Sequence, residues 1–210
     1  MGRQPEPDRE NVGIGFVDVL FALVVGQVLL PFAGSNRIPL TGVTQLVLAG
    51  VVTLASWIGY HYSKDRPRYK VGFPNWPLAQ LLIDVSLVIL YWLLAASAEG
   101  VGSRLGTVRS ARWEAVLVAA SFALYAMWDL VALAMRKNSR YTDLPIEEDV
   151  PGRRRVTFAF AFMFAAIAVV VWIVDPKTSR AVIKADLTLL ALAVAYRFVQ
   201  YRVPDAKLEA

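Results

Sequence analysis

Apolar positions in this chain run together in long blocks instead of alternating with polar ones. Six such runs, at about 12–33, 40–61, 77–98, 112–135, 156–174 and 179–201, are separated by short segments that hold most of the charge. A bilayer core of ~30 Å is crossed by about 20 helical residues, and each run approaches that length. Backbone groups in lipid must find hydrogen-bond partners within the protein, and alternating strands of about ten residues are absent. The runs therefore predict helices and not a barrel. The expected fold is all-α: a single polytopic domain over residues 1–210 with six transmembrane helices and nothing left over for a soluble domain. The first run does not read as a cleaved leader. It follows the mixed-charge tail RQPEPDRE and ends at Pro31-Phe32 without a small-residue cleavage pattern.

Composition points the same way, with 57% hydrophobic residues and a mean hydropathy of +0.48. The absence of cysteine removes disulfides, thiolate nucleophiles and sulfur metal ligands. A net charge of +5 invites a nucleic-acid reading, but the basic residues stand at the ends of the apolar runs, where they orient the chain. No nucleic-acid partner is expected. With both termini on one side, that side collects Arg3, Arg9, Lys64, Arg66, Arg68, Lys70, Arg136, Lys137, Arg140, Arg153, Arg154, Arg155, Arg202 and Lys207. The other side has Arg37, Arg104, Arg109, Arg112, Lys177 and Arg180, so the ratio is fourteen to six. The positive-inside rule then places both termini in the cytoplasm.

Two longer loops fall on the cytoplasmic side. Residues 63–77 are basic and punctuated by Pro and Gly, while residues 136–155 pass from basic to acidic at Glu147-Glu148-Asp149 and back to Arg153-Arg154-Arg155. The triple arginine is a candidate lipid-binding site for anionic headgroups, beside its plainer role as an orienting signal ahead of the fifth helix. The GVGSRLG run at 100–106 has no strand before it and so does not read as a phosphate loop. No internal repeat suggests an inverted-repeat transporter.

Charges inside the apolar runs are the candidate chemistry. Asp18 lies roughly 9 Å into the first helix from its cytoplasmic end, at 1.5 Å per residue. Asp84, Asp129, His61 and Arg197 fall at comparable depth on other helices, and only Asp186, with Lys184, belongs to the outer half. Ionisable groups gathered at one depth mark either an ion- or proton-attracting vestibule or a polar clasp that locks helices together. Three carboxylates against one arginine and one histidine do not balance if all are ionised, so a proton, a cation or water completes the layer. His61 is the sole histidine and has no companions at ligand spacing, so no metal and no cofactor is expected. HExxH and GxSxG motifs are missing, and an enzyme is not expected.

The stretch FVDVLFALVVGQVLLP (16–31) resembles the first helix of the endosomal–lysosomal potassium channel family, whose bacterial members have six helices. Phe16, Asp18, Phe21, Ala22, Leu30 and Pro31 match in register a Phe-Ser-Asp signature, an apolar pore-lining face and a Leu-Pro close, and Trp57 with His61 echoes the second helix. Val17 replaces the signature serine, and the family's arginine falls on Val12. The resemblance implies a homo-oligomeric cation channel, potassium being the candidate ion, in a bacterial plasma membrane. It puts an apolar constriction on Leu23, Gly26 and Leu30, and includes Phe16 in a clasp with Asp18. Spacings of three and four put Leu23, Gly26 and Leu30 on one helix face. No TVGYG filter is present, and an apolar ring gates by dewetting instead. Two alternatives stand beside it: a non-conducting membrane subunit that anchors a cytoplasmic partner, and a proton-coupled transporter that uses Asp18, Asp84 or Asp129 as its relay.

Overall fold

The computed structural model describes residues 11–34, 37–62, 76–98, 111–137 and 151–202. These form six α-helices: α1 (Asn11–Ala33), α2 (Leu40–Tyr62), α3 (Trp76–Ala96), α4 (Ala111–Lys137), α5 (Pro151–Val174) and α6 (Ser179–Arg202). The fold is all-α, and α2, α3, α4 and α5 are long and apolar enough to cross a membrane. In α1 the apolar stretch is Val17–Ala33, and α6 carries Lys184, Asp186 and Arg197 along its length. The 100–106 run, the acidic Glu147–Asp149 block and most of the 63–77 loop lie outside the described residues.

Helix α5 begins at 151, five residues before the apolar run at 156. Pro151 is its first residue, where a fixed φ is preorganised for helix and the missing N–H costs nothing. Arginine is a good helix former, so the three arginines continue the helix beyond the apolar stretch.

The helices pack as a closed circuit in the order α1, α2, α6, α5, α4, α3, crossed by α2–α3 and α4–α6 contacts. Helix α1 touches only α2 and α3, so it forms one edge of the bundle, and α5, against α4 and α6, forms the opposite edge. An aromatic core joins all six. Phe21 of α1 meets Tyr60 of α2 and Tyr91 of α3, each with ring centroids 6.2 Å apart. Phe122 of α4 stacks on Phe164 of α5 at 3.9 Å and meets Tyr196 of α6 edge-on at 5.0 Å. Lipid tails are as apolar as these side chains, so the rings hold the helices by contact and dispersion more than by escape from water.

A four-residue link, 175–178, turns α5 into α6. Asp175 takes a left-handed φ of 48° and its N–H donates to the Val171 carbonyl at 3.0 Å, closing α5. Thr178 caps α6, its hydroxyl accepting from the Ala181 N–H at 3.3 Å. The Asp175 carboxylate also receives Arg112 Nε of α4 at 3.0 Å, and the Arg112 guanidinium lies over the Trp172 ring at 5.4 Å. Asparagine tolerates a left-handed φ, whereas a β-branched residue there costs about 1–2 kcal/mol. Asp175→Val is therefore expected to lower the melting temperature clearly more than Asp175→Asn does. Equal melting curves for the two would show that the turn does not depend on this backbone conformation.

Candidate functional site

Polar side chains collect at three levels of the bundle. At the rim where α1 begins and α2 ends, Asp18 Oδ1 lies 2.8 Å from His61 Nε2 and accepts from Trp57 Nε1 at 3.2 Å. Trp57 and His61 are four residues apart on α2, so one helix face presents both to the same carboxylate. Their rings also meet edge-on, with centroids 4.4 Å apart. Asp18 and His61 are half-buried, and directly beneath them Val17 and Phe21 are packed into the core. The arrangement is a fastening between α1 and α2. The Phe16 side chain lies outside the described residues.

Arg197, expected at the same depth, joins a different set of side chains. Arg197 of α6 bonds Gln200 Oε1 at 2.9 Å and lies over the rings of Tyr125 and Tyr196 at 5.6 and 5.4 Å. Its guanidinium occupies space left by Gly59 of α2, where an added Cβ would come within 2.8 Å of Nη1. Asp129 and Arg197 both lie within electrostatic reach of Tyr196. Asp84 is buried on α3, Asp129 is half-buried on α4, and each is engaged with other groups. Asp18, His61 and Trp57 thus form one group, and Arg197 with Tyr125 and Tyr196 forms another. Arg153, Arg154 and Arg155 are the third to fifth residues of α5. Arg155 is exposed there, while Arg153 and Arg154 are partly covered and engaged.

In the middle of the bundle, Tyr91 of α3 is fully buried. Its hydroxyl donates to Ser56 of α2 at 2.9 Å and lies 2.6 Å from the Tyr125 hydroxyl of α4. Tyr125 is in turn covered by Arg197, so this chain of polar groups crosses four helices.

At the opposite rim, where α2, α4 and α6 begin, Gln45 Nε2 donates to Glu114 Oε2 at 3.0 Å. Thr44 Oγ1 donates to Asp186 Oδ2 at 2.6 Å. Glu114 and Asp186 are 2% and 1% exposed, and their carboxyls are within hydrogen-bonding reach of each other. Sequence reasoning gives Glu114 no part, because an acid in the first turn of a helix is an ordinary complement to the helix dipole. Its burial comes from α2 and α6 closing over it, which no local pattern reveals.

The first-helix stripe Leu23, Gly26 and Leu30 points away from the bundle. Leu23 and Leu30 are 63% and 68% exposed, and nothing lies within 4 Å of a Cβ built on Gly26. Val17, Phe21, Val24 and Val28 form the inward face of the same helix. Among the described residues, no group of three or more His, Cys, Asp or Glu gathers as a metal site.

Neither a scan against protein-family models, nor a search of curated proteins, nor a search of solved structures returns a match to this chain.

Two outcomes test this geometry. A double-mutant cycle on Asp18→Asn and His61→Gln, read by thermal unfolding, is expected to give a coupling energy of about 0.5–3 kcal/mol, the range for contacting polar residues. Additivity would mean that the contact does not hold α1 to α2. Gly59→Ala is expected to destabilise the parent protein by displacing the Arg197 guanidinium. In an Arg197→Ala background the same change is expected to stabilise by up to about 1 kcal/mol, the ordinary gain of alanine over glycine in a helix. The same sign in both backgrounds would show that Arg197 does not need the space.

Proposed function

We propose that this chain is a six-span integral membrane protein, with both termini cytoplasmic, that assembles with copies of itself around α1. The assembly conducts a monovalent cation, with potassium the first candidate, past an apolar constriction. The observation that carries this reading is the outward turn of Leu23, Gly26 and Leu30 on a helix that stands at the edge of its own bundle. An edge helix can serve both as a packing element of one copy and as the lining of an axis shared by several.

Small exposed residues on α1 are compatible with a meeting of copies on that side. The exposed face of α5 sets Phe158, Phe162, Val169, Trp172 and Ile173 beside Ala159, Ala165 and Ala166. The exposed face of α1 includes Ala22 and Gly26, which allow a second helix to approach closely. Leucines ringed about an axis would close the path by excluding water, without a carbonyl filter. The Asp18–His61–Trp57 contacts supply what such a pore helix needs, a fixed cytoplasmic end. Exposed Arg155, at the same rim as Asp18, suits a negatively charged cytoplasmic leaflet.

Cation flux from purified protein in liposomes tests the proposal, with potassium, sodium and proton gradients applied separately. Flux is expected in the parent and is expected to rise in Leu23→Ala and Leu30→Ala, as trimming widens an apolar constriction. Protein that is folded yet silent in all three forms would overturn the channel reading in favour of a non-conducting subunit.

A further inference from the structure

The acidic pair at the α2–α4–α6 rim belongs to none of the machinery assigned to α1. Its hydrogen-bond count does not close. Glu114 Oε1 and Asp186 Oδ1 are buried and have no donor among the described residues. The Thr44 hydroxyl has one hydrogen but two acceptors, the Thr41 carbonyl at 2.8 Å and Asp186 Oδ2 at 2.6 Å. Gln45 serves only Glu114 Oε2 within the pair. The cluster therefore has more acceptors than hydrogens, and one added proton on the carboxyls corrects the count. Two adjacent ionised carboxylates out of water would add mutual repulsion to the desolvation of both charges.

We propose that Glu114 and Asp186 form a binding site for one proton, which the two carboxyls share. Among the described residues, no positive charge takes its place. On α2 the neighbours are Thr41, Thr44 and Gln45, and no titratable group stands in that half of the helix. On α4, Arg112 is committed to Asp175, which also receives Lys177 Nζ at 3.7 Å from the α5–α6 link. Lys184 and Arg180 of α6 are exposed. The nearer half of α3 has Tyr91 alone, bonded to Ser56 and Tyr125, and the nearer half of α5 has no titratable side chain before Asp175. A metal ion fits poorly, since hard cations take six or more oxygen ligands, and here one carboxyl already faces an amide N–H.

The location gives the site an access side. Glu114 is the fourth residue of α4, and Asp186 the eighth of α6, so the pair lies roughly 5–12 Å from the helix starts at 1.5 Å per residue. The proton exchanges with the rim where α2, α4 and α6 begin, opposite the Asp18 fastening. This site stands independently of conduction along α1.

Infrared spectroscopy of the full-length protein in lipid nanodiscs near pH 7 tests the proposal, because free Asp and Glu carboxyls, with pKa about 4, are ionised there. The parent is expected to show a protonated-carboxyl band that shifts in D2O and is lost in both Glu114→Gln and Asp186→Asn, while Asp175→Asn keeps it. A band that survives Asp186→Asn would mean that Glu114 holds a proton alone, and the shared site would be overturned. Absence of a protonated-carboxyl band in the parent would overturn it outright. If the substituted proteins do not fold, the parent labelled with carbon-13 glutamate decides, since any glutamate that meets water is ionised near pH 7 and gives no such band. A band that moves with the label is expected, and a band indifferent to it contradicts the proposal. Thermal stabilisation by sodium or potassium that disappears in Glu114→Gln would assign the pair to a metal cation instead.

Discussion

Inside a helix bundle whose outer surface is apolar, a polar atom has no water to turn to and must be answered by another side chain or by the backbone. That requirement sets the helix neighbours here more firmly than apolar packing does, because leucine finds equivalent company in lipid. Asp18 needs α2, Tyr91 needs α2 and α4, and Asp186 needs α2 and α4. Each contact fixes rotation and height at once. With one such contact near each rim and one at mid-depth, α2 cannot slide against its neighbours without exposing a polar atom to hydrocarbon.

The aromatic core works with these fixings. Tyr91, Tyr125 and Tyr196 each offer a ring to the packing and a hydroxyl to the polar network, so a single residue type joins both systems. Arg197 completes the arrangement from α6 by spreading its guanidinium over two of those rings and filling the space beside Gly59. The bundle is thereby rigid through its middle. Helix α1, held at the edge by its inward valines, Phe21 and the Asp18 fastening, keeps a whole face exposed.

Six helices were legible in the sequence because run length and charge placement report directly on what lipid tolerates. Their ends were legible to within two residues except at α5, where Pro151 starts the helix ahead of its apolar part. Asp18 with His61 could be anticipated, since both stand near one rim on adjacent helices. Depth alone, however, could not separate Arg197 from that pair. Depth gives height along the bundle and says nothing of angle around it, and angle is decided by which helices become neighbours. Glu114 was hidden for the same reason: its meeting with Asp186 depends on α6 returning to lie between α2 and α5. The Tyr91–Ser56–Tyr125 contacts were likewise invisible, because tyrosine and serine within an apolar run carry no local mark of a partner.

Asp186 also has a consequence for the order in which the chain is made. Helix α6 leaves the ribosome after the other five, and it carries Lys184, Asp186 and Arg197 along its length. Alone in a bilayer it would be a poor guest. By the time it emerges, Thr44 and Glu114 have already been synthesised on α2 and α4, and the Tyr125 ring that receives Arg197 is in place on α4. The first five helices thus act as a template on which the sixth is received, and a chain that stalled before α6 would keep Glu114 bonded to Gln45 but without its partner carboxyl.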